Sequence, residues 1–306
     1  MLPKFKSILQ LYDFFKDEST CISYLEQQRW GGKPYCPHCG HDKVYRTNRG
    51  FKCANKECHK KFSATSGSIF DNTKISLRVW YAAIYVCTAH KKGISSLQLS
   101  RDLGVTQKTA WFVLHRVREM LKETEPKLLK HVVEVDEVFI GGKNHNRHLD
   151  KRVQNARGRS MLDKAPVFGA VQRGGDLRLS VVPDTTTLTL KDRIDCFVKP
   201  NSIMVSDDWY AYRKAVLPNN RHVVVNHKYE EYVRGAFHTN TIESFWALLK
   251  RGNYGIYHYW SRKHLHRYLV EFGYRYNSRS ISDQERFDTS LRRVGNFRLR
   301  YKDLIK

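Results

Sequence analysis

The sequence predicts a multidomain α/β protein, and three observations carry that expectation. HVVEVDEVFIGG alternates apolar and polar residues with period two, as a half-buried strand does, and the strand-like runs PVFGAVQRGG, DLRLSVVP, NSIMVSDDW and RHVVVNH follow it. Helical periodicity interleaves with these runs: LTLKDRIDCFV falls between two of them, and a later segment places Leu265, Tyr268, Leu269, Phe272 and Tyr276 along one face. Ahead of this region, four of the seven cysteines are gathered at metal-ligand spacing. Strands and helices in this order predict a mixed sheet flanked by helices and preceded by smaller modules.

The first module is expected over residues 1–70, entered by a short amphipathic helix carrying Ile8, Leu11, Tyr12 and Phe15. Cys36-Pro-His-Cys39 and Cys53-Ala-Asn-Lys-Glu-Cys58 form two knuckles separated by HDKVYRTNRGFK, a strand-and-turn segment. Two thiolates from each knuckle complete a tetrahedral zinc site with no open position, so Cys36, Cys39, Cys53 and Cys58 are expected to hold a structural rather than a catalytic Zn²⁺. His38 and His59 adjoin the knuckles and read as exposed polar side chains.

A helical module is expected over 71–128. ISSLQLSRDLGVTQKTAWFVLHRVREML reads as a helix from about Ser95, a turn at Gly104, an N-cap at Thr106 and a second helix with Ala110, Val113, Leu114, Val117 and Leu121 inward. This has the form of a helix-turn-helix, although an ordinary helical hairpin carries the same spacing. In the DNA-binding form, Gln107, Lys108 and Thr109 would meet base edges, while His115, Arg116 and Arg118 would be available to phosphates.

The α/β domain is expected over 129–280 with a basic insertion at 143–164, and 281–306 is a basic tail that could dock, contact DNA or stay mobile. Across 306 residues, 54 Lys and Arg stand against 30 Asp and Glu, a net charge of +24 that calls for a polyanionic partner. No apolar stretch approaches the roughly 20 residues of a spanning helix, so no membrane partner is expected. The amphipathic start lacks the apolar core and small-residue cleavage site of a signal peptide, and the cysteine spacing argues against a disulfide framework, so a reducing, cytoplasmic location is expected.

Three acidic positions point to chemistry. Asp136 lies mid-strand on the same side as Glu134, where packing alone does not favour an aspartate. Asp207, with Asp208 as its alternate, follows the strand IMVS at the carboxyl end, where open α/β sheets place their ligands. Glu243 falls in the first turn of the next helix, seven residues before Lys250 and so two turns along the same face. Asn240-Thr-Ile-Glu243 also has the spacing of a capping box. Carboxylates are hard oxygen ligands suited to Mg²⁺, and two such ions can stabilise both the attacking and the leaving oxygen of an in-line phosphoryl displacement.

VEVDEVFIGGK, SDDWYAY and HTNTIESFWALLKRGNYGIYHYWSRKHLHRYLVEFGYRYN, after a zinc ribbon and a helical module, resemble the bacterial insertion-sequence transposases that join a zinc ribbon to an RNase H-like Asp-Asp-Glu domain. The resemblance implies Asp136, Asp207 and Glu243 as ligands of a two-ion Mg²⁺ site that also accepts Mn²⁺, with Asn240 as the alternate third residue, and Lys250 and Arg251 as DNA contacts. It implies cleavage at the ends of a mobile element and transfer of the freed 3′-hydroxyl to a target strand. The partners would be double-stranded DNA at element ends and target, within a homo-oligomeric, nucleoid-associated synaptic complex. A zinc-ribbon regulator without catalysis, or an RNase H-like nuclease or resolvase, would share much of this sequence pattern.

Overall fold

A computed structural model describes residues 5–142, 144–154, 160–215, 220–226, 233–295 and 297–306. The chain forms two compact units, one from residues 1–122 and 278–306, the other from 123–277. Among the described residues, no helix is long and apolar enough to cross a membrane.

The first unit begins with α1 (Ile8–Phe14) and α2 (Glu18–Trp30), each started by a side chain that accepts an otherwise unpaired amide: Ser7 from Gln10 and Asp17 from Thr20. Gly31, at φ 58°, ends α2 in the left-handed conformation that a Cβ disfavours. A three-stranded antiparallel ribbon follows, β1 (Val44–Thr47), β2 (Gly50–Cys53) and β3 (Lys61–Phe62). Its apolar centre is small: Trp30 meets Phe51 and Phe62 edge-on at 5.4 and 6.0 Å, and the two phenylalanines stack at 5.5 Å.

Then come α3 (Leu77–Ala89), α4 (Ser96–Leu103) and α5 (Gln107–Met120). α4 ends at Gly104, at φ 65°, and the Thr106 hydroxyl caps α5 by accepting from the Thr109 amide. Ala110, Val113, Leu114, Val117 and Leu121 are buried, as their spacing predicts. The C-terminal segment is built into this unit as α10 (Asp283–Arg292) and α11 (Tyr301–Ile305), so of the three fates open to it in the sequence the structure shows docking. Phe287 is fully buried against Phe5 and Tyr81, with ring centroids 5.5 and 5.3 Å away, and a Ser282/Glu285 capping box starts α10.

The second unit is a five-stranded mixed sheet: β4 (Val132–Ile140), β5 (Ala165–Gln172), β6 (Leu177–Val181), β7 (Ile203–Ser206) and β8 (Arg221–Val224), in the order β6-β5-β4-β7-β8. β4, β5 and β6 pair antiparallel, while β4, β7 and β8 run parallel. Val133, Val135, Phe168 and Ala170 bury one sheet face against α6 (Thr187–Phe197) and α7 (Tyr210–Ala215). Val138, Ile140, Val167 and Val171 bury the other face against α8 (Asn240–Gly252) and α9 (Arg262–Asn277). This three-layer arrangement is an RNase H-like fold. Of the basic insertion expected at 143–164, residues 143 and 155–159 lie outside the described residues; Asn144–Asn146 and Leu149–Lys151 form short 3₁₀ turns.

Gly169 of β5 pairs with Asp136 of β4 and lies under α8. A Cβ there would fall 2.6 Å from two ring carbons of Trp246 and 3.1 Å from Ile242. Gly169→Ala is therefore expected to cost about 1–3 kcal/mol through overpacking and to push Trp246 off the strand. Urea denaturation checks this; a stability equal to wild type would mean that α8 yields without cost.

Candidate active site and metal centre

In the ribbon, the Cys36, Cys39, Cys53 and Cys58 sulfurs all lie within 4.8 Å of one another, and among the described residues they are the one cysteine, histidine or acidic group so gathered. Cys36 Sγ is 3.8 Å from Cys58 Sγ, and Cys39 Sγ is 3.5 Å from Cys53 Sγ. Zn–S bonds of about 2.3 Å in a tetrahedron place sulfurs roughly 3.8 Å apart, so the four thiols fit a structural zinc site, whereas a disulfide needs about 2.05 Å. Burial pushes the Cys53 thiol up to about 12, so a thiolate there calls for a cation. His38 and His59 are exposed outside the cluster.

The second site is built on the sheet. Strand alternation turns Glu134, Asp136 and Val138 toward α8. Asp136 is half-buried, and its Oδ2 accepts from the Trp246 indole N–H at 3.0 Å. Burial, then the negative charges of Asp207 and Glu243, push the Asp136 carboxyl up to about 7. Asp207 directly follows β7, the parallel neighbour of β4, and accepts from the Trp209 amide at 3.0 Å. Its alternate, Asp208, is half-buried beside it, and Asp207 is the first-ranking charge acting on Asp136.

Glu243 is exposed in the first turn of α8, where its Oε1 accepts from the Thr239 hydroxyl at 2.6 Å. Asp136, Glu243 and Lys250 line one cleft of about 600 Å³ with Trp246, Lys164 and Tyr254. The seven-residue step from Glu243 to Lys250 therefore does bring both side chains to one wall, and α8 passes into a π-helical turn, Asn253–Tyr257, that carries Tyr254. Asn240 instead lines a separate groove with Ser244, Leu248 and Tyr276. The three acids are not packed as tightly as the cysteines, since their oxygens do not all lie within 4.8 Å of one another. Asp207 is not among the residues that line the Lys250 cleft; Asp136 and Glu243, both hard oxygen donors, are the two acids of the three that do. A cation bound beside Asp136 would offset the burial, and the neighbouring negative charge, that oppose its ionisation.

Of the expected DNA contacts, Gln107, Lys108 and Thr109 occupy the start of α5 with Gln107 and Lys108 exposed; the Gln107 amide donates to Ser96 Oγ, and Lys108 Nζ lies 4.9 Å from the Tyr301 ring centre. Arg251 is exposed near the end of α8. Arg116 is a correction: it is buried, donating to the Asp71 carbonyl at 2.8 Å and packing its guanidinium over Trp80 and Phe112, so it is not available to a phosphate. Burial pushes its pKa down to about 10. His115 and Arg118, on the same helix, are also buried. Sequence reasoning passed over Trp246, although it stands three residues after Glu243 and four before Lys250, on the stripe that faces the cleft.

The mixed sheet with acidic residues at the cleft beneath α8 is the fold and site of a phosphoryl-transfer enzyme family. Residues 128–277 match the ISXO2-like transposase domain, and residues 16–61 match the transposase zinc-ribbon domain. The chain belongs to the ISXO2-like transposases, a phosphoryl-transfer enzyme family with an Asp-Asp-Glu-type domain. A relative, the uncharacterized protein in transposable element ISH50 of Halobacterium salinarum, is 30% identical over 256 residues, covering 78% of this chain and 83% of its own length. That element is archaeal, so the family does not by itself place this chain in bacteria. Among solved structures, the Mos1 strand transfer complex aligns at 15% identity over 70% of this chain and 74% of that chain, with a TM-score of 0.29. The simian T-cell lymphotropic virus intasome, in complex with a PP2A regulatory subunit, aligns at 14% over 64% and 63%, with a TM-score of 0.27.

Proposed function

We propose that this protein binds the ends of a mobile DNA element, cleaves one strand there in a Mg²⁺-dependent reaction and joins the freed 3′-hydroxyl to target DNA. The observation that carries this reading is that Asp136 on β4 shares one cleft with Glu243 and Lys250 of α8, while Asp207 directly follows β7, the parallel neighbour of β4. Asp136, Asp207 and Glu243 would hold the ions, with Mn²⁺ able to replace Mg²⁺. Ions held by these carboxylates would supply Lewis-acid polarisation of the phosphoryl group and charge support for the attacking and leaving oxygens. Trp246 keeps the Asp136 carboxylate oriented through its 3.0 Å hydrogen bond. Lys250 and Arg251 contact backbone phosphates. In the N-terminal unit, zinc supports the ribbon, and Gln107, Lys108 and Thr109 present the start of α5 to base edges. The net charge of +24 makes binding strongly salt-dependent. Joining two ends calls for a homo-oligomeric synaptic complex.

The test is an assay of cleavage and joining on duplexes carrying the element ends, with Mg²⁺, for wild type and Asp136→Ala. Cleavage with joined product in wild type alone is expected. Intact DNA would favour a DNA-binding regulator, and cleavage without joining a nuclease or resolvase. Separately, Lys108→Ala is expected to relax sequence preference at the base pairs it reads, costing about 1–3 kcal/mol of discrimination, measured by competition binding. A loss that is uniform across sequences would make Lys108 a phosphate contact instead.

A further inference from the structure

Glu134 is a fully buried carboxylate in β4, two residues from Asp136 and on the same sheet face. Its Oε2 accepts the backbone N–H groups of Thr241 at 2.9 Å and Ile242 at 3.1 Å. Its Oε1 accepts the Thr241 hydroxyl at 2.8 Å and two Arg173 nitrogens at 3.2 and 3.0 Å, with His238 Nδ1 3.4 Å away. Arg173 donates in addition to the carbonyls of Ala236 at 2.6 Å and His238 at 3.1 Å, and so holds the approach to α8 as well.

A helix start leaves amide donors unpaired, and a local Ser or Thr hydroxyl usually accepts one. α8 does otherwise. Thr239, in the N-cap place, makes no capping bond; its hydroxyl donates to Glu243 Oε1 at 2.6 Å. The cap comes instead from Glu134, 107 residues away in sequence from Thr241. A buried carboxylate is costly unless it is fully bonded, and placing one beside an already acidic cleft adds to that cost. The arrangement yields a rigid path from the strand bearing Asp136, through Glu134 and the first turn of α8, to Thr239 and the carboxylate of Glu243.

We infer that Glu134 and Thr239 are positioning residues: Glu134 locks α8 onto β4 and thereby frees the Thr239 hydroxyl to aim Glu243 at the site that Asp136 shares. This rests on the proposed role of Asp136 and Glu243. Catalytic constellations tolerate only about 0.5 Å of error, and loss of an orienting partner typically costs 10–100-fold in metal affinity or activity.

The test uses the full zinc-loaded chain and four variants: Thr239→Val, Thr239→Ser, Glu134→Gln and Asp136→Ala. Thermal unfolding, Mn²⁺ affinity by calorimetry, amide exchange of α8 without Mn²⁺, and kcat and KM for cleavage of end duplexes are measured. Thr239→Val is expected to keep the wild-type Tm and the KM for DNA while losing about tenfold in Mn²⁺ affinity and in kcat, and Thr239→Ser to restore both. Glu134→Gln is expected to show the same Mn²⁺ loss with faster exchange at the Thr241 and Ile242 amides, since an amide cannot supply the charge those donors face. A folded Thr239→Val with wild-type Mn²⁺ affinity and kcat overturns the inference, even where Glu134→Gln fails to fold. If Asp136→Ala meanwhile loses Mn²⁺ binding, only the positioning roles fall; if Asp136→Ala binds Mn²⁺ as wild type does, the catalytic reading beneath them falls as well.

Discussion

Stripping the metal from the four-cysteine site is expected to unfold the ribbon outright. The segment holding β1, β2 and β3 is too short to bury a self-sufficient core, and its apolar content is essentially one ring cluster of Trp30, Phe51 and Phe62. Structural zinc in comparable peptides supplies about 10–16 kcal/mol at neutral pH, far more than three rings can. Chelation, or Cys36→Ser, should therefore release one Zn²⁺ per chain, expose Trp30 and red-shift its fluorescence, and open the ribbon to proteases. The core around Phe287, which does not draw on the metal, should keep its protection. A Cys36→Ser chain that retains zinc and a buried Trp30 would show that the cysteines merely pack.

The second large effect falls on catalysis. Asp136→Asn preserves size and leaves an acceptor for the Trp246 indole, yet removes the charge on which an ion would rest. Losing several kcal/mol of electrostatic stabilisation corresponds to roughly a thousandfold or more in rate. The same substitution should do the opposite to stability in the absence of divalent ions. The folded chain holds the Asp136 proton up to about pH 7, above the ordinary value of 3.8, because burial and the charges of Asp207 and Glu243 oppose ionisation. Protonated Asp136 is thus compatible with the fold below its unfolded pKa, and stability is lost as pH rises through 7. Without Mg²⁺, Asp136→Asn is expected to melt at the wild-type temperature near pH 4 and a few degrees higher at pH 8. Mg²⁺ should raise the wild-type melting temperature at pH 8 and leave the variant unmoved. A variant less stable than wild type at pH 8 in chelator would show that the Asp136 environment favours its charge.

Much of this site was legible from residue order. The period-two alternation of VEVDEVFI put Glu134 and Asp136 on one face, and IMVSDD placed its acids at a strand end, because both inferences need only strand geometry. The cysteine knuckles and the inward residues of α5 were legible for the same reason: their partners are local. Arg116 was misread because, although Phe112 stands one turn before it on α5, the burial is completed by Trp80 of α3 and the Asp71 carbonyl, which charge and helical position do not reveal. The cap on α8 was invisible because its acceptor, Glu134, is remote in sequence, and the only capping pattern the local sequence offered was the alternative Asn240–Glu243 box. The requirement for glycine at 169 likewise exists only once Trp246 lies across β5. Docking of the C-terminal segment depends on Phe287 finding rings from residues 5, 15 and 81, which no periodicity in a ten-residue, mostly polar helix announces.

The claim on which the enzymatic reading stands is that Asp136, Asp207 and Glu243 jointly bind divalent ions. Calorimetric titration of the zinc-loaded chain with Mn²⁺ measures this directly, with Asp136→Asn, Asp207→Asn, Glu243→Gln and Lys250→Ala in parallel. Saturable binding that is lost or severely weakened in each of the three carboxylate variants, and kept in Lys250→Ala, is the expected result. Wild-type affinity in any one of the three folded carboxylate variants would remove that side chain from the site and contradict the arrangement proposed for this transposase.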